Sequence, residues 1–209
     1  MAPERVGILG GTFDPVHYGH ILPAQYAFND LRLDGLVLVP SGPPVHRAQH
    51  RPAPAEHRLA MCRLAVTPLP RFGVSDVEVT RPEPSYTVLT LEHFRARLGP
   101  AAALFLLIGG DILSSLHTWF RLPDVLALCT LVPIRRPSEA APDLGPLRAA
   151  VGDAAVDQIL GREVPGPLIP ISATEVRRRV ACREPIQHLV PDVVAAYIAK
   201  HGLYRGGNA

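Results

Sequence analysis

Lysine is all but missing from this chain of 209 residues: Lys200 is the only one among 21 basic side chains, and arginine supplies the rest. Any clamp on an anion must therefore be built from arginine, histidine or backbone N–H groups. Arginine suits that task, because its planar fork matches the oxygens of a carboxylate or phosphate. An excess of one charge is also lacking. The 19 acidic residues leave a formal charge of +2, and no Lys/Arg run is long enough to track a nucleic-acid backbone. Only three cysteines occur, Cys62, Cys129 and Cys182, far apart and without a CxxC pair. That speaks against a disulfide framework and for small buried hydrophobes in a reducing compartment. No stretch approaches the roughly 20 apolar residues of a membrane span, and the run 6–9 is too short for a secretory signal. These absences point to a cytoplasmic protein with neither nucleic acid nor membrane as a partner. They leave open whether it forms a homo-oligomer.

What is present is an alternation of short apolar runs with helical segments. Residues 6–9, 36–39, 104–108, 128–133 and 168–171 read as buried strands, and 72–79 as strand-like. Residues 19–30, 56–66, 87–98 and 147–160 read as helices, with 175–180 and 191–200 as closing helices. Pro23 falls early in the first of these, where its missing N–H costs little. The segments 41–55 and 137–146 read as proline-rich loops. Such alternation predicts a Rossmann-like, doubly wound parallel sheet with helices on both faces and a small C-terminal helical segment. With no repeat or convincing linker, 1–209 reads as a single domain. In an open sheet of this kind ligands bind beyond the carboxyl ends of the strands, so chemistry is expected just after them.

Four motifs sit there. Residues 10–20, GGTFDPVHYGH, join the first strand to the first helix. Glycines allow close approach of backbone to phosphate, and a helix N-terminus favours anions. His17 and His20, three apart, can face one phosphate chain. The spacing fits neither GxGxxG nor GxxxxGK[ST], and a metal reading lacks a third nearby ligand. By itself the segment also reads as a glycine turn with two incidental histidines. Residues 171–177, ISATEVR, open a helix. Ser172 and Glu175 make a capping box, or Ser172 and Thr174 leave N–H groups for a phosphate that Arg177 reaches from one turn in. In 108–119, Gly109 and Gly110 end a strand, Asp111 can accept from ribose hydroxyls, and Trp119, the only tryptophan, offers a flat face to a ring or simply packs in the core. In 84–91, PSYTVLTL, Ser85 or Thr87 caps a helix.

Read whole, these segments resemble the nucleotidylyltransferase superfamily of HxGH type, and within it the bacterial nicotinate-mononucleotide adenylyltransferases. GGTFDPVHxGH is close to that family's form, and ISATEVR is similar to its ISxTxxR, with Ala173 where Ser is common. The run from Gly109 resembles GxDxxxxLxxW, and 85–91 resembles SYTxxTL. The resemblance implies transfer of the adenylyl group of ATP to the phosphate of nicotinate mononucleotide, with Mg²⁺ arriving on the ATP and no dedicated metal site. It implies that ATP meets Gly10, Gly11, Thr12, Phe13, His17, His20, Gly109, Asp111, Ile171, Ser172, Thr174 and Arg177, with His17, His20 and Arg177 catalytic. It implies that the acceptor meets Thr12, Tyr86, Thr87 and Trp119. His46 and Arg47 resemble the family's PPHK turn, although Val45 is inserted and Arg replaces Lys, and Arg136 resembles its RP turn near the substrate phosphate. The C-terminal residues 194–204 resemble its closing helix, read as packing.

Other readings stay open from the residues alone. A sister enzyme acting on phosphopantetheine typically carries Thr in place of His17. An aminoacyl-tRNA-synthetase-like activator shares an HxGH element but needs a binding extension. A nucleotide sensor on this fold would tolerate loss of His17, His20 or Arg177. An NAD-dependent redox enzyme lacks support from the glycine spacing.

Overall fold

The computed structural model describes residues 4–42, 52–135, 142–167 and 169–206. Its strands are β1 (Arg5–Gly11), β2 (Gly35–Pro40), β3 (Phe72–Val74), β4 (Ala103–Gly109), β5 (Thr130–Arg135) and β6 (Val164–Pro165). They form one sheet in the order β3-β2-β1-β4-β5-β6, every pair parallel. This is the doubly wound arrangement expected from the alternating pattern, and its direction reverses between β1 and β4.

The sheet is buried on both sides, so its central strands are apolar throughout rather than alternating. In β4, Phe105 and Leu107 face one core, while Leu104, Leu106 and Ile108 face the other. Helices α1 (Tyr18–Asp30), α2 (Ala55–Val66), α8 (Ala173–Ala181) and α9 (Asp192–His201) cover the first face, through Ile21, Phe28, Met61, Val176 and Ile198. Helices α4 (Thr87–Leu98), α5 (Leu122–Leu128), α6 (Gly145–Val151) and α7 (Asp153–Leu160) cover the second, through Leu91, Val125, Leu147 and Val156. No helix among the described residues is long and apolar enough to cross a membrane.

Several local expectations are corrected. The strand-like reading of 72–79 holds only to Val74, because Val77–Thr80 closes into a short helix, α3. The alternating valines of that segment imitate a strand, but Glu78 between them turns inward. The helix expected over 147–160 breaks at Gly152, whose φ of 84° only glycine adopts cheaply. Residues 169–171 lie outside the sheet, whose last strand is β6, while Leu168 lies outside the described residues. Leu128, expected in a strand, ends α5. Of the cysteines, Cys62 is buried, whereas Cys182 is exposed.

Candidate active site

A cavity of about 330 Å³ opens at the switch point, between the carboxyl ends of β1 and β4. Gly10 and Gly11 from β1 and Gly109 from β4 form its floor. Gly19 and His20 enter from α1, Thr87 from α4, and Asp111, Ile112 and Trp119 from the loop after β4. The glycines leave the strand ends bare. A Cβ at Gly10 would meet nothing within 4 Å, so the space beside it belongs to the cavity. A Cβ at Gly109 would overlap the Asp111 carboxylate.

The loop from β1 to α1 is tightly built. Phe13 is buried with φ 49°, in the left-handed region, and its ring packs edge-on to His20 at 5.0 Å. His17, buried to 3% exposure, is the N-cap of α1. Its backbone N–H donates to Nδ1 of His20 at 3.3 Å, and the two imidazoles stack with centroids 3.7 Å apart. The accepting Nδ1 places the proton of a neutral His20 on Nε2. Gly19 lets α8 approach: a Cβ there would come within 2.9 Å of both His17 Nδ1 and the Ile171 carbonyl oxygen. The HxGH turn and the ISATEVR segment therefore meet at Gly19.

In that second segment Ser172 is the N-cap of α8, and its Oγ accepts from the Glu175 N–H at 3.2 Å. Half of the expected capping box forms. The Glu175 carboxylate instead accepts from Arg178 and Arg179, whose hydrogen bonds hold it down to about 2. Arg177 is nearly buried. Its Nη1 donates to the Asp14 carbonyl oxygen at 2.8 Å and lies 3.7 Å from Asp14 Oδ2, and its Nη2 donates to Thr174 Oγ1 at 3.2 Å.

These contacts set the stretch 171–177 against the turn 10–20, while the cavity itself is lined from 10–20 and 108–119; Thr12, Phe13, His17, Ile171, Ser172, Thr174 and Arg177 are not among its lining residues. The chain as a whole is similar to known proteins. The Cytidylyltransferase-like family model matches residues 8–179. A relative from Roseiflexus sp. (strain RS-1) is 43% identical over 98% of this chain and 100% of its own, and one from Pseudomonas syringae pv. tomato is 41% identical over 99% and 96%. Each is named "Probable nicotinate-nucleotide adenylyltransferase". The chain belongs to the nicotinate-nucleotide adenylyltransferase family. Its fold is also that of a Plasmodium falciparum nicotinic acid mononucleotide adenylyltransferase complexed with NaAD, with a TM-score of 0.71 and 18% identity, covering 96% of this chain and 97% of that one.

Not every residue that the family resemblance singled out reaches the crevice as expected. His46, Arg47 and Arg136 lie outside the described residues. The N-cap of α4 is Tyr86, not Ser85 or Thr87, and Ser85 Oγ accepts from the Gly42 N–H at 2.9 Å. Tyr86 packs its ring on Phe120 at 4.6 Å, while Thr87 lines the cavity itself. Trp119 packs against the second core and also lines the cavity.

Four residues of consequence were not foreseen. Asp14, at 3% exposure, accepts through Oδ1 from the Ala53 N–H at 3.0 Å and from the Tyr204 hydroxyl at 2.8 Å. Arg58 is equally buried and donates to three carbonyl oxygens, those of Ala53, Thr12 and Ser41, at 3.0, 2.7 and 2.8 Å. Burial lowers its proton affinity, partly offset by Asp14. Glu78 lines the cavity, and its Oε1 accepts from Thr90 Oγ1 at 2.6 Å. Tyr204 is the fourth. Asp14 and Tyr204 stand within segments that resemble the family, the turn 10–20 and the closing segment 194–204, while Arg58 and Glu78 carry no local signal in the sequence.

Proposed function

We propose that this chain transfers the adenylyl group of ATP to the phosphate of nicotinate mononucleotide, giving nicotinate adenine dinucleotide and pyrophosphate. The observation that carries the reading is a cavity at the strand switch point that the N-terminus of α1 borders, with the N-terminus of α8 packed against that same turn at Gly19. Both N-termini are suited to phosphate, and the cavity is suited to a ring and a ribose.

ATP lies over Gly10, Gly11, Thr12 and Phe13, with Asp111 on its ribose. His17, His20, Ser172, Thr174 and Arg177 meet its phosphates. An oxygen of the acceptor phosphate attacks the α-phosphorus in line, and the bond to the bridging oxygen of pyrophosphate breaks. No covalent enzyme intermediate is required, since the nucleophile is already an anion. The histidines and Arg177 act by stabilising charge that builds on the α-phosphate and the leaving group. The acceptor ring occupies the apolar part of the cavity near Trp119, and its carboxylate is received at the N-terminus of α4, where Thr87 lies.

Mg²⁺ fits this site as an ion brought by the triphosphate. Among the described residues no group of three or more His, Cys, Asp or Glu could cage it. The one carboxylate in the β1–α1 turn, Asp14, is held by Tyr204, Ala53 and Arg177. When bound, such an ion neutralises phosphate charge. The substrates of this reading are cytoplasmic metabolites, in keeping with the cysteine usage.

The test is pyrophosphate release by purified protein with ATP and Mg²⁺, offering nicotinate mononucleotide, nicotinamide mononucleotide and 4′-phosphopantetheine in parallel. Fast release with nicotinate mononucleotide alone is expected. Release only with phosphopantetheine would keep the chemistry and overturn the acceptor. No release with any acceptor would overturn the reaction.

A further inference from the structure

The C-terminal segment reaches the catalytic turn. Helix α9 ends at Gly202, whose φ of 61° reverses the chain, and the Leu203 N–H returns to the Ile198 carbonyl oxygen at 3.1 Å. Tyr204 follows with φ 63°, in the left-handed region that a tyrosine enters only when its surroundings hold it there. What holds it is Asp14, 190 residues away in sequence, whose Oδ1 accepts the phenol proton at 2.8 Å. Burial and the neighbouring carboxylate raise the proton affinity of that phenol, so it remains a donor at any working pH.

Asp14 is in turn the contact that fixes Arg177. One nitrogen of the guanidinium, Nη1, faces both the carbonyl oxygen and the carboxylate of Asp14. A shift of Asp14 therefore moves Arg177 directly. The Nε of Arg177 is buried without a hydrogen-bond partner in the described structure. Its remaining side-chain hold is Thr174 Oγ1 on the same helix. Three segments distant in sequence, at 14, 177 and 204, are thus joined in one chain of donors and acceptors.

We propose that Tyr204 is a positioning residue for nucleotide binding, acting through Asp14 to set the guanidinium of Arg177. This rests on the reading of Arg177 as a phosphate ligand. The phenol fixes the Asp14 carboxylate in the orientation that Arg177 requires. Without it Asp14 Oδ1 loses the donor that ties it to the C-terminal segment and keeps the Ala53 N–H.

The test is Tyr204→Phe, which keeps the ring and removes one hydroxyl. Its affinity for an ATP analogue with a methylene between the α- and β-phosphorus is read by calorimetry, without acceptor. Affinity and kcat/KM for ATP fall roughly tenfold, the scale of one lost hydrogen bond to a charged group, while KM for the acceptor stays. In an Arg177→Lys background the same change has no further effect, because neighbours acting as a unit are non-additive. Tyr197→Phe removes a hydrogen bond to His57 Nδ1 from the same helix, 2.9 Å in the native chain, and keeps full affinity. Wild-type affinity in Tyr204→Phe overturns the proposal, as does an equal loss in the Arg177→Lys background. Native binding of the analogue without turnover of nicotinate mononucleotide would sink the functional reading and leave this test readable. Native protein that binds no analogue sinks both.

Discussion

Arg58 donates to the carbonyl oxygen of Thr12 across 2.7 Å, although 46 residues separate them. The same guanidinium holds Ser41 and Ala53, so one side chain fastens the turn after β1, the end of β2 and the approach to α2. An ammonium cannot copy this planar fork, because its donors diverge from a single point. Arg58→Lys is expected to leave buried carbonyls unpaired and lower the unfolding free energy by about 2–4 kcal/mol. Urea denaturation at neutral pH checks it. A loss under about 0.5 kcal/mol, the size of an indifferent surface change, would mean that the clamp contributes little.

His20 has two separable tasks. Its Nδ1 accepts from the His17 N–H and so caps α1, while its other edge reaches the cavity. His20→Asn offers an oxygen close to the Nδ1 position and nothing at Nε2. The helix cap should survive, with a melting temperature near that of the native chain. The turnover number should fall about 100- to 1,000-fold, the usual effect of removing a donor from developing charge, and KM should change little. A kcat within a few-fold of native would remove His20 from the chemistry.

The parts of this molecule legible in sequence share one property: their determinants lie close together in the chain. Gly10, Gly11 and Gly109 follow apolar runs, and both runs became central strands with the cavity at their ends. His17 and His20, or Ser172 and Arg177, lie close together because each pair spans less than two turns of helix. Elements of weak local character were misread. Val77 and Val79 alternate like a strand, yet the pair Glu78–Thr90 makes a turn of helix the better use of the segment, since a buried carboxylate needs its donor. Val164 and Pro165 form a strand too short to show as a run. The holds on Asp14 from Tyr204 and on Thr12 from Arg58 could not be read at all, because they exist only once the sheet has brought distant segments together.

The Glu175 carboxylate lies well below its ordinary value, at about 2 against 4.5, because Arg178 and Arg179 donate to it. A carboxylate depressed in the folded state stabilises above its unfolded value, and that stabilisation is lost as pH falls from about 4.5 towards 2. Glu184, lowered by the same Arg178, acts in the same direction. Arg178→Ala should therefore be less stable than the native chain at pH 6, with the gap narrowing as pH falls through that window. Thermal melts of both proteins along a pH series read the difference. A gap that is constant with pH would show that Arg178 contributes by packing alone.

Gly10 and Gly19 border the same cavity, yet their replacement by alanine should fail in opposite ways. At Gly19 the new methyl would stand 2.9 Å from the Ile171 carbonyl oxygen, a backbone atom that cannot swing aside. Helix α1 and the start of α8 must then separate, at a cost on the order of 1–3 kcal/mol. Stability and activity should fall together, because the separation also parts His17 and His20 from Ser172 and Arg177. At Gly10 the methyl meets no protein atom within 4 Å, so the fold should melt at its native temperature. The methyl instead enters the space where bound nucleotide would approach the strand end, and KM for ATP should rise roughly tenfold or more as that close approach is blocked. The comparison separates a glycine required by the protein from one required by its ligand. If Gly10→Ala keeps native affinity for ATP, the nucleotide does not lie over the end of β1. If Gly19→Ala keeps native stability, the two segments have more freedom to adjust than their contact at Gly19 implies.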